Sequence, residues 1–437
     1  MDYSIAKGTF DILPTETDEE DKWRESSRWQ YLEEVMRLTA HDYGFREIRT
    51  PIFEKTELFI RGVGESSDIV TKEMYTFVDR GERSMTLRPE GTASSMRAFV
   101  EKKLYSQPGL HKYFYMGPMF RYERPQAGRY RQHHQFGAEA IGIGSPEQDA
   151  ELIDMVCEIY RRLGLTNLTV QINSVGDAPS RVAYKEALTK FLHPFLAALS
   201  QDSQMRFVKN ILRILDSKDP NDQKILEEAP VLGDFLTPES KGHFEQVLSL
   251  LDTLGIKYAV NSKLVRGLDY YNKTVFEITT EVLGAQNSIG GGGRYDGLVE
   301  AVGGPNLPSV GFATGMERIL QTMLKQGAPF PQAPHPFVFL VPMGPEALRN
   351  CFELACSLRH AGIPTEIDLS GKKIQHGLQL ANQTSATYAL VIGEEELKTR
   401  SVKIKNMATR ESLDCPLNDL LAKLKQLKSL GFKRENP

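Results

Sequence analysis

Apolar residues recur at helical spacing early in the chain. Trp29, Leu32, Met36 and Tyr43 are separated by charged positions, which predicts one long helix over 20–43. Gly44 follows, where a glycine commonly ends a helix. Phe45 to Phe53 then reads as a strand, with Pro51, which lacks a ladder donor, at an edge or a strand end. Further strands are predicted at 85–88, 112–122 and 132–143, a helix at 147–163 and a strand at 168–172. From Ala178 to Leu254 strand runs are missing. Leu188, Phe191, Leu192, Phe195 and Leu199 keep helical spacing, as do Phe244, Val247, Leu248 and Leu251. Residues 178–256 are therefore expected to form a helical insertion within a larger domain spanning 1–330. Strands resume at 258–260 and 274–280, before the glycine run Gly290 to Gly293.

The segment Gly327 to Pro336 holds four prolines in ten residues and is the clearest linker. Beyond it strands are predicted at 337–341, 365–369, 388–392 and 401–405, with helices at 346–361, 373–383 and 417–429. That alternation predicts an independent α/β domain over 331–437.

Composition narrows the class. At 437 residues, 41% hydrophobic and 25% charged, the chain has the mix of a soluble globular protein of several domains. The polar, acidic segment Met1 to Glu20 does not read as a secretory signal, and no run of 18 apolar residues is present, so the cytoplasm is the expected location, with no membrane partner. Cys157, Cys351, Cys356 and Cys415 are too few and too irregular for a disulfide framework. The C-x4-C pair has no second pair or histidine cluster to complete a zinc site, so no protein-held metal is expected. His133 and His134, adjacent on a strand, would point to opposite faces. The net charge of -4 does not advertise a nucleic-acid binder, but residues 331–437 carry 14 Lys/Arg against 11 Asp/Glu on an otherwise acidic chain. Such a tail either holds a polyanion or is solvated surface.

Four clusters carry candidate chemistry. Arg121, Arg124, Arg129 and Arg131 gather around the turn between two strands, and the planar guanidinium suits phosphate; a solvated basic hairpin tip has the same spacing. Thr86 to Thr92 ends a strand in Pro-Glu-Gly-Thr, placing the Glu90 carboxylate and the Thr92 hydroxyl where a substrate ammonium or a capped turn would use them. Val265 to Tyr271 sets a cation, a glycine and two phenols before a strand. The glycine run, read as a Gly-rich loop without P-loop or G-x-G-x-x-G spacing, is followed by Arg294 to Gly297. Then Gly311, Ala313 and Gly315 alternate as on one strand face, against which a flat ligand fits, with Arg318 at the start of a helix.

Together and in this order the strings resemble the histidyl-tRNA synthetases, a family of class II aminoacyl-tRNA synthetases. The resemblance runs from Lys7-Gly8-Thr9 to the end of the C-terminal domain. Gly44–Pro51 resembles class motif 1, Phe120-Arg121-Tyr122-Glu123 motif 2 and Gly311–Arg318 motif 3. Arg266–Tyr271 and Gly291–Leu298 resemble the two strings peculiar to the histidine enzymes. Lys7 stands where the family often has arginine, and Gly292 lies in a run richer in glycine than usual.

The resemblance implies an α+β catalytic domain with the class II antiparallel sheet and flanking helices, and an α/β anticodon-binding domain. It implies two steps. ATP and L-histidine form histidyl-adenylate, and the histidyl group then passes to the 3'-terminal ribose of tRNA(His). Arg121, Arg266 and Arg318 are the implied catalytic cations, and with Glu123 they bind ATP. Glu90, Thr92, Gln135, Glu139, Tyr270 and Tyr271 are the implied histidine-binding residues, Glu139 and Tyr271 facing the two ring nitrogens. Mg²⁺ carries part of the phosphate charge, and motif 1 implies a homodimer. A non-catalytic histidine sensor on the same fold, the regulatory subunit of ATP phosphoribosyltransferase, would lack the tail domain and much of the histidine strings. A synthetase for proline, threonine or glycine would lack the Arg266–Tyr271 string.

Overall fold

Two long antiparallel strands and a glycine-rich pair joined to them form the frame on which the first unit is built. The computed structural model describes residues 3–65, 67–107, 109–123, 128–268 and 270–435. Arg124 and Asp269, from the candidate strings, lie outside the described residues. The chain divides into two compact units, Met1–Pro331 and Gln332–Pro437.

In chain order the strands of the first unit start with four short ones, β1 (Arg46–Glu47), β2 (Phe53–Lys55), β3 (Thr76–Val78) and β4 (Ser84–Leu87). The long strands β5 (His111–Phe120) and β6 (Gln132–Ile141) follow. Then come β7 (Leu168–Ser174), β8 (Tyr258–Val260), β9 (Asn272–Thr280), β10 (Ser288–Arg294) and β11 (Ser309–Gly315). Eight of these make one sheet in the order β1-β5-β6-β11-β10-β9-β7-β8. Its six inner strands run antiparallel to one another, and β1 and β8 pair parallel at the two edges. The helices Ser26–Asp42, Pro146–Arg162 and Met316–Gln326 contribute Leu32, Met36, Ile153, Val156, Ile319 and Leu320 to one buried cluster with Phe114, Phe136, Phe276 and Phe312 of the sheet. No helix among the described residues is long and apolar enough to cross a membrane.

Three sequence readings need correction. The long helix over 20–43 is broken: a 3-10 turn covers Glu19–Arg24 and the α-helix starts at Ser26. Between them Glu25 is extended, because the preceding segment captures it through a Leu13–Glu25 bridge and a 2.7 Å bond from the Ser26 amide to the Leu13 carbonyl. Phe45 to Phe53 is not one strand. Only Arg46–Glu47 joins the main sheet, and past Pro51 the chain crosses to a small sheet of order β2-β4-β3. The glycine run read as a loop is strand β10, fully paired with β9 and β11.

Between Ala178 and Leu254 the chain is helical, with its own core of Tyr184, Leu188, Leu192, Ile214, Leu226 and Leu232. Two carboxylates tie it internally. Asp222 accepts from the hydroxyls of Ser200, Ser203 and Ser217, each at 2.6 Å. Asp177 accepts from Ser180 at 2.7 Å and Thr237 at 2.6 Å, joining the starts of helices Ala178–Leu192 and Pro238–Leu254. These bonds outweigh burial and bring both carboxyls down to about 2.

The second unit is a five-stranded sheet of β12 (Val338–Pro342), β13 (Thr365–Ile367), β14 (Tyr388–Ile392), β15 (Ser401–Asn406) and β16 (Ser412–Pro416), in the order β13-β12-β14-β15-β16. β12 pairs parallel with β13 and β14, so helices Pro345–His360 and Ile374–Gln383 serve as crossovers. Every residue of β12 is buried, as a central parallel strand requires. The sequence reading missed β16 and the short helix Glu394–Thr399.

Candidate active site

Strands β6, β11, β10 and β9 lie side by side, and one face of this group floors a cavity of about 670 Å³. Its floor is flat because the chain there has almost no side chains: Gly290 to Gly293 run opposite Thr314, Ala313, Phe312 and Gly311. A Cβ at Gly292 would lie 2.0 Å from the Gly311 carbonyl oxygen, so this pairing depends on glycine. Glu90, Thr92, Arg121, Glu123, Gln135, Glu139, Arg266, Tyr270, Tyr271 and Arg318 all line this cavity. The structure thus brings together every site residue expected from the sequence, although they span more than 220 positions.

At the buried end, Glu139 of β6 is 1% exposed. Tyr295 donates a short hydrogen bond to one of its oxygens, and Tyr115 donates to the other at 3.2 Å. Burial, with the neighbouring Glu90 adding to it, pushes the Glu139 carboxyl up to about 8 against the pull of the hydroxyls. This environment favours the neutral, protonated form of the carboxyl. The Tyr115 ring stands in a slot between Gly91 and Gly137, where added Cβ atoms would approach it to 2.2 and 2.3 Å. The Tyr270 and Tyr271 rings close the end, 4.7 Å apart, and burial raises both phenols.

Glu90 is 4% exposed and performs two tasks. Its oxygens accept from the amides of Thr92 at 2.5 Å and Ala93 at 2.9 Å, capping helix Thr92–Glu101, while the residue also lines the cavity. The capping reading of the sequence is thus what the described bonds show, and the same carboxylate faces the cavity. Gln135 presents a buried side-chain oxygen, and Arg266 a buried Nε, that have no hydrogen-bond partner among the described residues. Buried polar atoms are ordinarily paired, so both point to a ligand.

Four arginines, Arg121, Arg129, Arg266 and Arg318, line the cavity. Arg121 is held by a 2.9 Å bond to the Pro89 carbonyl. Arg266 pairs with Glu277 of β9 at 3.1 Å. Arg318 donates to the carbonyls of Ser288 at 2.6 Å and Gly128 at 3.1 Å. Glu123, paired with Arg129 at 3.1 Å, and Glu277 both act on Arg318 through their charge, so two carboxylates stand at this end. A magnesium ion arriving on phosphates needs one or two carboxylates, and this donor set fits one. Among the described residues no group of three or more His, Cys, Asp or Glu is placed to hold a metal alone. His133 also lines the cavity; burial, and then Arg121, push its imidazole well below the usual histidine range, so it is neutral.

Sequence reasoning missed Tyr115 and Glu277, and it gave Tyr295 no role. Arg294, from the same string as Tyr295, does not reach the cavity. It is fully buried, pairs with Asp149 at 2.9 Å and Asp296 at 3.1 Å, and donates to the Ile143 and Ser145 carbonyls. Asp149 also takes a short bond from His243 and one of 3.1 Å from Thr274. This node clamps the end of β10 on both sides of Tyr295.

An antiparallel sheet with cations and carboxylates on one glycine-lined face, followed by a separate α/β unit, is the plan of a class II aminoacyl-tRNA synthetase. A family model described as histidyl-tRNA synthetase matches residues 19–319, and one described as anticodon binding domain matches 338–427. The chain belongs to the histidyl-tRNA synthetase family. It is 57% identical over 425 residues to the histidine–tRNA ligase of Protochlamydia amoebophila, covering 97% of this chain and all of that one. It is 48% identical over 419 residues to that of Desulforamulus reducens, covering 96% and 98%. The crystal structure of apo histidyl-tRNA synthetase from S. aureus superposes with a TM-score of 0.82 at 40% identity, covering 97% of this chain and all of that one.

Proposed function

We propose that the protein is a histidine–tRNA ligase that activates L-histidine with ATP and transfers it to the 3'-terminal ribose of tRNA(His). One observation carries the reading: Arg121, Arg266 and Arg318 border the same cavity whose closed end holds a buried carboxyl and two phenols. The carboxylate of histidine and the α-phosphate of ATP are both anions, and cations between them lower the barrier to their approach. Arg121 and Arg266 serve the α-phosphate and Arg318 the γ-phosphate and the adenine. Glu123 and Glu277 would hold Mg²⁺, which would supply positive charge against the phosphates.

Glu90, Thr92 and Gln135 take the α-ammonium of histidine. Glu139 gives its proton to one ring nitrogen and Tyr271 bonds the other, with Tyr270 against the ring. A buried site that pairs with both nitrogens is left with unmatched polar groups when another amino acid enters, which supports discrimination of about 10⁴ without editing. The unit 332–437 reads the anticodon. The exposed apolar side chains Ile52, Phe53, Phe77 and Val78 around the small sheet support a homodimer joined on that side. The cytoplasm is the place where such an enzyme meets its tRNA.

The test is histidine-dependent exchange of pyrophosphate into ATP, followed by charging of tRNA(His). Purified protein that exchanges with histidine and not with proline, threonine or glycine bears out the reading; histidine binding with no exchange overturns it.

A further inference from the structure

The helical segment reaches the cavity at its 3-10 turn Ile211–Asp216. Asp216 and Lys218 stand on the cavity wall, and between the core and this rim the side chain of Arg213, 11% exposed, turns inward. One Nη of Arg213 donates to the Gly267 carbonyl at 2.9 Å, and the other meets Oδ2 of Asp68 at 2.7 Å. Arg206 braces this arrangement. It donates to the carbonyl of Arg213 at 3.1 Å and approaches the same Asp68 oxygen to 3.8 Å.

Both ends of this fork lead to the activation chemistry. Gly267 follows Arg266 in the chain, so the bond fixes the peptide next to the guanidinium that pairs with Glu277. Leu268, one residue further, lines the cavity and packs on Phe59, Val63, Ile69 and Ala93. Asp68 opens the turn Ile69–Glu73, and the Glu73 carbonyl accepts from the Tyr122 amide at 2.7 Å, beside Arg121. A single planar group thus ties the strand of chain that carries Arg266 to the one on which the Arg121 turn hangs. An ammonium cannot hold a carbonyl and a carboxylate with the same fixed geometry.

We propose that Arg213 is a positioning residue for amino-acid activation. It fixes Arg266 through the Gly267 carbonyl, and the helical segment is thereby a working part of the adenylate-forming site. The inference rests on the proposed function, and its test separates the two.

Histidine-dependent pyrophosphate exchange is measured on the full-length wild type, Arg213→Ala, Arg213→Lys, Asp68→Asn, Arg266→Ala and the double variant Arg213→Ala/Arg266→Ala. Misplacement of a catalytic group by about an ångström costs on the order of 10²-fold, so partial loosening should lower kcat by about tenfold, with KM for ATP nearly unchanged. Arg213→Lys is expected to recover part of that loss. In the Arg266→Ala background the Arg213→Ala change should have much less effect, what remains passing through Asp68 to the Arg121 turn. Losses that multiply, or an Arg213→Ala protein with wild-type kcat, overturn the proposal. Should Arg213→Ala fail to fold, Asp68→Asn, which keeps the side chain's shape, gives the same comparison in combination with Arg266→Ala. A wild type without exchange overturns the proposed function itself.

Discussion

Burial keeps the Glu139 proton up to a pH of about 8, whereas the ordinary value for such a carboxyl is 4.5. Between those values the folded chain binds more protons than the unfolded one, so this residue's contribution to stability falls as pH rises, by about 1.4 kcal/mol per pH unit at most. Glu139→Gln removes the effect. Thermal melts should show the variant gaining on the wild type from pH 5 to pH 8 and matching it near pH 4. Gly137→Ala places a Cβ 2.3 Å from the Tyr115 ring, which must leave its slot and release Glu139. The expected result is a KM for histidine raised at least about tenfold, with smaller change in KM for ATP, read by exchange kinetics. Arg266→Ala should cut adenylate formation by about 10²-fold or more while ATP binding by calorimetry changes little; equal losses in both would remove its role in the reacting state. At this scale the sequence was legible where chemistry was explicit. The charged and phenolic residues that the resemblance assigns to histidine and ATP all line the cavity, whereas Arg131, Arg294 and Asp296 from the same strings do not. Tyr115 was missed because a tyrosine in an aromatic strand carries no sign of its neighbours. Its partner lies 24 positions away, and its slot is made by two glycines.

Elements with a buried side-chain rhythm were readable to within a few residues: Tyr388–Ile392 and Pro146–Arg162 are examples. β10 was not, since glycine leaves no alternation to read and the strand is defined by what lies on either side of it. The break at Glu25 was hidden for a different reason: the competing partner, Leu13, is tertiary and outside the helical window. The helical segment 178–254 was legible as helices, but its internal ties were not, because Ser200, Ser203 and Ser217 gather around Asp222 only on folding. Asp222→Ala strands those three hydroxyls and should destabilise the segment by about 1–3 kcal/mol. Hydrogen exchange should locate the loss there and leave the sheet protected. With the carboxyl near 2 when folded and 3.8 otherwise, the wild-type advantage is complete above pH 4 and fades as pH falls towards 2.

At the scale of the molecule, the proline-rich stretch marked the division that the two units display, near residue 331. A protein lacking 332–437 should form histidyl-adenylate at close to the wild-type rate but charge tRNA(His) poorly; full charging by the truncated chain would refute the anticodon role of that unit. The proposed dimer is legible only as what motif 1 implies, since a surface for a second copy looks, in sequence, like any other apolar edge. Light scattering is expected to give twice the chain mass, and Phe53→Glu to shift it towards one. The tail unit, meanwhile, has a core of its own, with Val338, Leu340, Leu390 and Ile404 enclosed among its own strands and helices. A module with a core of its own carries its packing with it when recombination exchanges it. Natural or engineered chimaeras cut at this proline-rich seam would inherit a foreign taste in nucleic acid while keeping their appetite for histidine.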